Sequence, residues 1–230
     1  TTSTMAEPSP GAAALLPPLT PASWPSPPAV HPSSSPSENE ARRLLRRYPI
    51  PSRMRYSYGT AGFRYDASLL PAAMVRVGMF AAVRSASLGG EEVGIMITAS
   101  HNPVQDNGMK LADPDGGMLS SDWEGSAVNL ANASDPDAAL GTIKELCRVF
   151  AWMGPFDPSS SSAPRGTTEG NRRRRMVVHI GRDTRPSSPA LSALAVRAAR
   201  SLGASVIDHG VVTTPQLHHA VMHSNPHRLP

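Results

Sequence analysis

The chain has 230 residues, of which 22 are basic and 18 acidic, and a formal charge of +4. Four of the basic residues form the run Arg172–Arg175 and the other 18 balance the acidic residues, so the charge excess is local and does not predict a nucleic-acid-binding face. The length suffices for one large domain, the single cysteine, Cys147, excludes an internal disulfide, and no apolar run approaches the roughly 18 residues of a membrane span.

The first 37 residues differ from the rest in composition. They contain 10 of the 24 prolines and eight serines, but no lysine or arginine. Such a segment cannot bury much apolar surface, so we expect a disordered tail over residues 1–37 that is not a transit peptide. A short helix to Arg47 should follow, with Ser37 as its N-cap, acidic residues in its first turn and basic residues at its end.

Residues 38–154 predict the first part of an α/β domain. Apolar side chains at helical spacing between residues 71 and 88 indicate a core helix. They are Met74, Val75, Val77, Met79, Phe80 and Val83. The other predicted elements are a strand or hairpin near 55–65, strands at 93–97 and 109–112, and helices near 120–132 and 137–151.

Residues 155–175 are rich in serine, glycine and arginine, and they predict a flexible, solvated insertion. A nuclear-import or polyanion-binding patch is the alternative interpretation of its arginine run. Residues 176–230 then predict the remainder of the domain, with strands at 176–181 and 204–208 and helices at 188–202 and 215–223. Strands that alternate with helices predict an α/β fold, with a mainly parallel mixed sheet sandwiched by helices.

Ser100 lies shortly after the apolar strand predicted at 93–97. The Asn102-Pro103 pair indicates a turn, because proline restricts the preceding residue to extended conformations. Functional side chains collect at the carboxyl ends of strands in open α/β sheets, so we expect Ser100 to be presented there. A serine hydroxyl needs a neighbouring base or cation to react, and His101 and Lys110 could supply either. The alternative is an ordinary turn without chemistry.

A glycine-rich segment upstream adds phosphate-binding chemistry. Gly59 and Gly62 would allow the backbone to approach a ligand closely, and Arg64 could bind phosphate through two N–H groups. Arg64 could instead pair with an acidic surface group. Together with the serine segment, these residues favour a site for holding or transferring phosphate.

The predicted strand at 176–181 runs into a second polar cluster. There Arg182 and Arg185 flank Asp183, which we interpret as a structural ion-pair network that orients backbone beside the site. His179, inside the strand, is typical of a satisfied core histidine. His218 is expected to cap or flank a helix and not to bind a metal.

Taken in order, these motifs resemble the first domain of the α-D-phosphohexomutases. They are YGTAGFR at 58–64, ITASHNPVQDNGMKLADPDGGML at 97–119, and IGRDTRPSS at 180–188. The particular residues in these motifs, together with the segment VVTTPQLH at 211–218, are most similar to the eukaryotic phosphoacetylglucosamine mutase subfamily. The similarity covers about residues 55–223 and implies an N-terminal part of such an enzyme.

The resemblance implies roles for individual residues. Ser100 would be a phosphoserine that donates its phosphoryl group to a hexosamine monophosphate and recovers the other phosphate from the resulting bisphosphate. Arg64, Asn102 and Lys110 would contact phosphate or substrate, and Lys110 and His101 would be candidates for handling the proton of the substrate hydroxyl. Asn102 and Asn107 would shape the loop. N-acetylglucosamine 6-phosphate and 1-phosphate would be interconverted, for UDP-N-acetylglucosamine synthesis in the cytoplasm.

The resemblance also implies Mg²⁺ and a hexose 1,6-bisphosphate activator. In the family, the serine phosphate and three aspartates of a D-G-D-x-D-R loop in a second domain hold the metal. Two Asp-Pro-Asp segments occur here, at 113–115 and 135–137, and neither continues into that motif. We interpret them as a turn and a helix start. Of this chain, only Ser100 would therefore reach the metal, and we expect a chain truncated before the metal-binding domain.

Three hypotheses follow from the sequence. The first is a phosphohexomutase whose first domain is this chain, inactive when alone; another hexose phosphate remains open as its substrate. The second is a non-catalytic binding module that keeps the phosphate-accepting loop. The third is a serine hydrolase, which the missing G-x-S-x-G motif around Ser100 argues against. We expect no nucleic-acid or membrane partner.

Overall fold

The computed structural model describes residues 36–149 and 176–226. Its five strands are β1 Phe63–Asp66, β2 Val93–Ile97, β3 Asp106–Ala112, β4 Val177–Arg182 and β5 Ser205–Val211. They form one sheet in the order β1-β3-β2-β4-β5. The helices are α1 Glu38–Arg47, α2 Pro71–Ser87, α3 Ser121–Ala131, α4 Pro136–Val149, α5 Ser188–Ser201 and α6 Thr214–Ser224.

The mixed α/β sheet expected from the sequence is confirmed. Its β2–β4 and β4–β5 pairs are parallel, and its β1–β3 and β2–β3 pairs are antiparallel. Only residues 98–105 join β2 to β3, which is too short for a crossover helix, so these two strands must run antiparallel. The strand predicted at 109–112 begins at Asp106, because the polar residues before the apolar run also pair with β1.

The main core lies between one face of the sheet and helices α2 and α5. Alternate residues of β2 (Val93, Ile95 and Ile97) belong to this core, as the two-residue period of a strand requires. Helix α2 is buried along almost its whole length, since α1, α3 and α4 cover its outer side. The six core residues predicted in α2 are 0 to 1% exposed.

Helix α6 covers the opposite face of the sheet. Gly94 of β2 and Gly181 of β4 lie beneath it, and a Cβ at either position would approach Leu217 or Val221 of the helix. Helix and strands thus pack closely here because the facing residues are glycines. Both faces of the sheet are covered, as expected.

His179 on β4 belongs to a chain of three titratable side chains. It is 2% exposed, its Nε2 lies 2.6 Å from a carboxylate oxygen of Glu92, and its Nδ1 lies 2.8 Å from Nε2 of His209. The two ring centroids are 5.1 Å apart and their planes differ by 14°, so the rings meet edge to edge through facing nitrogens. The interpretation of His179 as a satisfied core histidine is confirmed.

Helix α1 begins as the sequence predicts. The Ser37 hydroxyl accepts a hydrogen bond from the Glu40 N–H at 3.2 Å, and the Ser37 N–H donates to the Ser201 carbonyl at 3.0 Å. Residues 1–35 of the expected tail, the arginine-rich insertion at 155–175 and residues 227–230 lie outside the described residues. No helix in the described ranges is long and apolar enough to cross a membrane.

Candidate active site

The segment between β2 and β3 consists of two consecutive turns, which we call the serine loop (residues 98–106). In the first turn the Asn102 N–H donates to the Ala99 carbonyl at 2.8 Å, and in the second the Asp106 N–H donates to the Pro103 carbonyl at 3.1 Å. Ser100 and His101 are the central residues of the first turn, and both are exposed. The loop therefore presents the Ser100 hydroxyl to solvent at the carboxyl end of β2.

Arg185, which follows β4, lies under the serine loop. Its Nη1 donates to the carbonyls of Pro103 at 2.6 Å and Asp106 at 3.0 Å, and its Nη2 donates to those of Asn102 at 2.9 Å and Ala99. The side chain is 11% exposed. One guanidinium thus holds four carbonyls of the loop.

Asp183 holds Arg185 and also binds the start of the loop. One carboxylate oxygen accepts from the Thr98 hydroxyl at 2.9 Å and lies 3.2 Å from Nε of Arg185. The other accepts from the Ser188 hydroxyl at 2.6 Å and from the Arg185 N–H at 3.0 Å. The carboxylate therefore connects the end of β2 to the first turn of α5.

Arg64 on β1 reaches the same loop through an amide side chain. Its Nη1 donates to Oδ1 of Asn102 at 2.9 Å, and Nδ2 of Asn102 donates to the Asp106 carboxylate at 3.0 Å. The Nε atom of Arg64 is buried and has no hydrogen-bond partner. A buried cationic donor without a partner is costly unless an anion binds there, so Arg64 suits a phosphate ligand.

Lys110 lies on the same face of the sheet as Arg64. Arg64 pairs with Gly108 in the β1–β3 register, and Lys110 follows two residues later on β3. Gly62 lies beside both strands with φ +78°, where a Cβ would be 2.2 Å from the Met109 carbonyl and 3.0 Å from Cγ of Lys110. The two cations give this face a positive potential that suits an anionic substrate.

Tyr58 fixes the glycine-rich segment to β3. Its hydroxyl accepts a hydrogen bond from the Leu111 N–H at 3.2 Å, and its ring packs edge-on against Phe63 with centroids 5.0 Å apart. Burial raises the pKa of the Tyr58 phenol to about 12, so it remains protonated at neutral pH. By contrast, Gly59 is exposed and nothing lies within 4 Å of a Cβ built there.

The structure does not bring every predicted residue into the same network. Asp183 forms its ion pair with Arg185, whereas the neighbouring Arg182 contributes its carbonyl, which accepts the Val212 N–H at 3.0 Å. His101 lies beside Ser100 on the exposed turn, with no hydrogen bond from its ring among the described contacts. His218 lies within α6, and its Nδ1 is 2.8 Å from the Gly116 carbonyl.

Each aspartate of the two Asp-Pro-Asp segments has a structural partner within the chain. Asp113 is buried in an ion pair with Arg84 at 2.7 Å, and Asp115 accepts the Gly117 N–H in a turn. Asp135 accepts the Ala138 N–H at the start of α4, and Asp137 pairs with Arg42. Within residues 36–149 and 176–226, no three His, Cys, Asp or Glu side chains group to hold a metal ion. The described residues therefore do not fit a complete magnesium site.

Asn107 is the second residue of β3, and its contacts agree with the expectation that it shapes the loop. It is 0% exposed, and its Nδ2 donates to the hydroxyls of Ser187 and Ser188 at 2.8 and 2.9 Å. It thereby joins the start of β3 to the start of α5. The partners themselves could not be predicted from the sequence, since they lie about 80 residues away along the chain.

Comparison with known proteins assigns the chain to a family. The profile described as phosphoglucomutase/phosphomannomutase, alpha/beta/alpha domain I, matches residues 63–136 and 166–227. Phosphoacetylglucosamine mutase of Oryza sativa subsp. japonica is 45% identical over 172 residues, which cover 74% of this chain and 28% of that protein. Phosphoacetylglucosamine mutase 1 of Schizosaccharomyces pombe is 45% identical over 164 residues, covering 71% and 27%. The chain thus spans less than a third of these relatives.

Solved structures agree with this assignment. An N-acetylglucosamine-phosphate mutase in the apo-form superposes with a TM-score of 0.70 and 38% identity, over 82% of this chain and 38% of that one. The Aspergillus fumigatus N-acetylphosphoglucosamine mutase in complex with GlcNAc-6P and magnesium gives 0.67 and 35%, over 84% and 32%. The chain therefore belongs to the α-D-phosphohexomutase superfamily and corresponds to its first domain.

Proposed function

We propose that this chain is the first domain of a phosphoacetylglucosamine mutase and that Ser100 carries its transferable phosphoryl group. The observation that carries the proposal is the serine loop itself. It exposes the Ser100 hydroxyl at a strand end, and it is bonded to Arg64, a cation with a buried, unpartnered Nε. The mutase names of the relatives supply the reaction class.

In the proposed reaction, Ser100 begins as a phosphoserine. A hydroxyl oxygen of N-acetylglucosamine 6-phosphate attacks the phosphorus, the bond from phosphorus to the Ser100 oxygen breaks, and a bisphosphate forms. The Ser100 oxygen then attacks the other phosphate of that bisphosphate, which restores the phosphoserine and releases the 1-phosphate. Phosphoryl transfer of this kind depends on alignment and charge neutralisation more than on covalent chemistry by the protein.

The side chains around Ser100 fit these requirements. Arg64 would bind an oxygen of the moving phosphoryl group through its free N–H groups, with Asn102 fixing its orientation. Lys110, on the same face, would bind phosphate as an ammonium group or, in its neutral form, would take the proton from the attacking hydroxyl. His101 is exposed beside Ser100 and is a second candidate for that proton. Asn102 would also contact the phosphate, as the resemblance implies.

Magnesium and a bisphosphate activator enter the proposal through the relatives alone. The Aspergillus fumigatus enzyme has been solved with GlcNAc-6P and magnesium and, as a second complex, with glucose 1,6-bisphosphate. The described part of this chain has no group of three metal-ligating side chains, and it would contribute an oxygen of a Ser100 phosphate to the metal. The three carboxylates would have to come from other residues.

We also propose a reducing, cytoplasmic location and a hexosamine phosphate as the small-molecule partner. The support for the location is cysteine usage: Cys147 is 3% exposed on α4, and burial raises the pKa of its thiol to about 12. Such a thiol is not nucleophilic at neutral pH. No nucleic-acid partner is proposed.

A chimera tests the function. Residues 36–226 of this chain replace the corresponding residues of the Oryza sativa mutase, and turnover of N-acetylglucosamine 6-phosphate is measured with glucose 1,6-bisphosphate and Mg²⁺. We expect turnover by the chimera, none by its Ser100→Ala variant, and a fall of about 100-fold or more for Arg64→Ala. The 230-residue chain alone should give no turnover.

Each alternative result would count against a different part of the proposal. A folded but inactive chimera would favour the non-catalytic binding module. Preference of the chimera for glucose or mannose 6-phosphate would overturn the sugar assignment, and turnover that survives Ser100→Ala would overturn the phosphoserine. Turnover by the chain alone would overturn the need for further domains.

A further inference from the structure

Each nitrogen of the Arg185 guanidinium has a partner. The five donors of an arginine lie in one plane in a fixed fork. In this structure the two on Nη1 and the two on Nη2 bind four loop carbonyls, and the one on Nε faces the Asp183 carboxylate at 3.2 Å. The four carbonyls belong to the serine loop and the carboxylate to the segment that follows β4, so the guanidinium joins these two segments and lies at the centre of the loop.

The four carbonyls follow the order of the two turns. Nη2 binds the carbonyls of Ala99 and Asn102, which are the first and last residues of the first turn. Nη1 binds those of Pro103 and Asp106, the first and last residues of the second turn. Each terminal nitrogen therefore joins the first and last carbonyls of one turn. Because the two nitrogens belong to one rigid plane, the guanidinium also fixes the two turns relative to each other.

Ser100 lies inside the first of these turns. Its backbone makes none of the turn's closing bonds, so the direction of its hydroxyl depends on how Ala99 and Asn102 are held. Asn102 also receives Arg64 through its side chain. The residue that fixes the first turn thus fixes both the Ser100 oxygen and the orientation of the phosphate-binding cation.

We propose that Arg185 is a positioning residue for phosphoryl transfer at Ser100. It acts through the backbone of the serine loop and touches neither the phosphoryl group nor the sugar, and this role rests on the proposed function. A lysine keeps the charge but has only three donors on one atom and cannot close both turns. Replacement of Arg185 by lysine is therefore expected to slow the chemical step and to leave the affinity for substrate unchanged.

The first arm of the test is kinetic and uses the chimera. Arg185→Lys should lower kcat by about 10- to 100-fold, because a displaced reacting group loses that much rate, while KM stays within about twofold. For Arg185→Ala, added guanidinium ion should restore part of kcat and ammonium should not. Arg200→Lys is the matched control, since Arg200 lies in the last turn of α5, away from the loop, and should leave kcat unchanged.

The second arm measures amide hydrogen exchange in the 230-residue chain itself. In Arg185→Lys the amides of Asn102 and Asp106, which close the two turns, should exchange about tenfold faster or more. Amides in the centres of β2 and β4 should keep their exchange rates. Loss of protection throughout the sheet would instead indicate a general loss of stability and would overturn a positioning role.

The two arms separate this inference from the proposed function. If the wild-type chimera is inactive, the mutase proposal fails, and the exchange rates still decide whether Arg185 holds the turns. If the wild-type chimera is active and Arg185→Lys has wild-type kcat, the positioning role is overturned while the mutase proposal stands. Unchanged exchange at Asn102 and Asp106 overturns it as well.

Discussion

At the scale of single residues, the site depends on backbone positions that few side chains tolerate. Gly62 precedes the strand that carries Arg64, and its φ of +78° lies in the left-handed region. The Met109 carbonyl lies so close that a Cβ would be 2.2 Å from its oxygen. The close pairing of β1 with β3, and therefore the placement of Arg64, depends on the missing side chain.

Substitution of Gly62 tests this dependence. Gly62→Ala should lower the free energy of unfolding by about 2 kcal/mol or more, since it combines a strained φ with a clash against backbone. Gly59→Ala, three residues earlier in the same segment, meets nothing within 4 Å and should change it by less than about 0.5 kcal/mol. Urea denaturation of both variants measures the difference, and equal effects would contradict the packing described for Gly62.

The Glu92–His179–His209 chain predicts a pH dependence of stability. Burial, and then the neighbouring His179, lower the pKa of His209 from 6.5, while Asp208 opposes the shift. A histidine whose pKa is lower in the folded state binds fewer protons than in the unfolded state. It therefore stabilises the fold above the unfolded pKa, and this contribution is lost as the pH falls below about 6.5.

The measurement is the thermal midpoint at about pH 7.5 and about pH 5.5. Wild type should lose more stability on acidification than His209→Gln, in which the titrating group is absent. The comparison between the two proteins cancels the contributions of the other histidines. An equal pH dependence of the thermal midpoint in both proteins would show that titration of His209 does not contribute to the pH dependence of stability.

At the scale of elements, the contact between α2 and α5 determines how the core packs. Gly78 of α2 faces α5 so closely that a Cβ would lie 2.8 Å from the Ala195 carbonyl oxygen and from Cβ of Ala198. Gly141 of α4 is exposed, with nothing within 4 Å of a Cβ. Both glycines have a helical backbone conformation, in two different helices, and they differ in what surrounds them.

Alanine at the two positions should therefore have opposite effects. Helix propensity alone would stabilise both variants by about 0.5 to 1 kcal/mol. Gly141→Ala should show this gain, whereas Gly78→Ala should lose about 1 to 3 kcal/mol because the helices must move apart. Equilibrium denaturation of both variants checks the signs, and a gain in Gly78→Ala would contradict the close α2–α5 packing.

Periodicity and capping chemistry were enough to predict most elements. The Ser37 cap, the core face of α2 and the buried strand β2 are local properties of sequence, and they were predicted correctly. The start of β3 was not, because Asp106 and Asn107 are polar and enter the sheet through pairing with a distant strand. Nor could spacing predict which side chains lie beside His179, since Glu92 lies just before β2 and His209 lies on β5.

The candidate site shows the same difference between features that local sequence predicts and contacts that depend on distant residues. The motifs identified the serine, the cations and the Arg182–Arg185 cluster, and the resemblance to a family supplied their expected roles. The four hydrogen bonds of the Arg185 guanidinium to the loop could not be predicted from the sequence, because their acceptors are backbone carbonyls and any residue carries one. Side-chain patterns predict partners only where the partner is itself a side chain of distinctive chemistry.

At the scale of the whole molecule, the described residues bring together one part of the candidate site. They present a serine, Arg64 and Lys110 on one edge and face of a sheet, and they contain no group of three metal-ligating side chains. The chain's aligned residues cover less than a third of the length of the relatives from Oryza sativa and Schizosaccharomyces pombe. Under the proposed function, the remaining contacts to sugar and metal come from residues beyond the first domain.

The most direct test of the phosphoserine is to locate the phosphate. The active chimera is incubated with glucose 1,6-bisphosphate and Mg²⁺, digested, and its peptides are mapped by mass spectrometry, with Ser100→Ala treated in parallel. We predict one phosphoryl group on Ser100 in the wild-type chimera, lost when N-acetylglucosamine 6-phosphate is added in excess, and none on that peptide in the variant. Turnover without phosphate on Ser100, or with phosphate on another residue, would contradict the account.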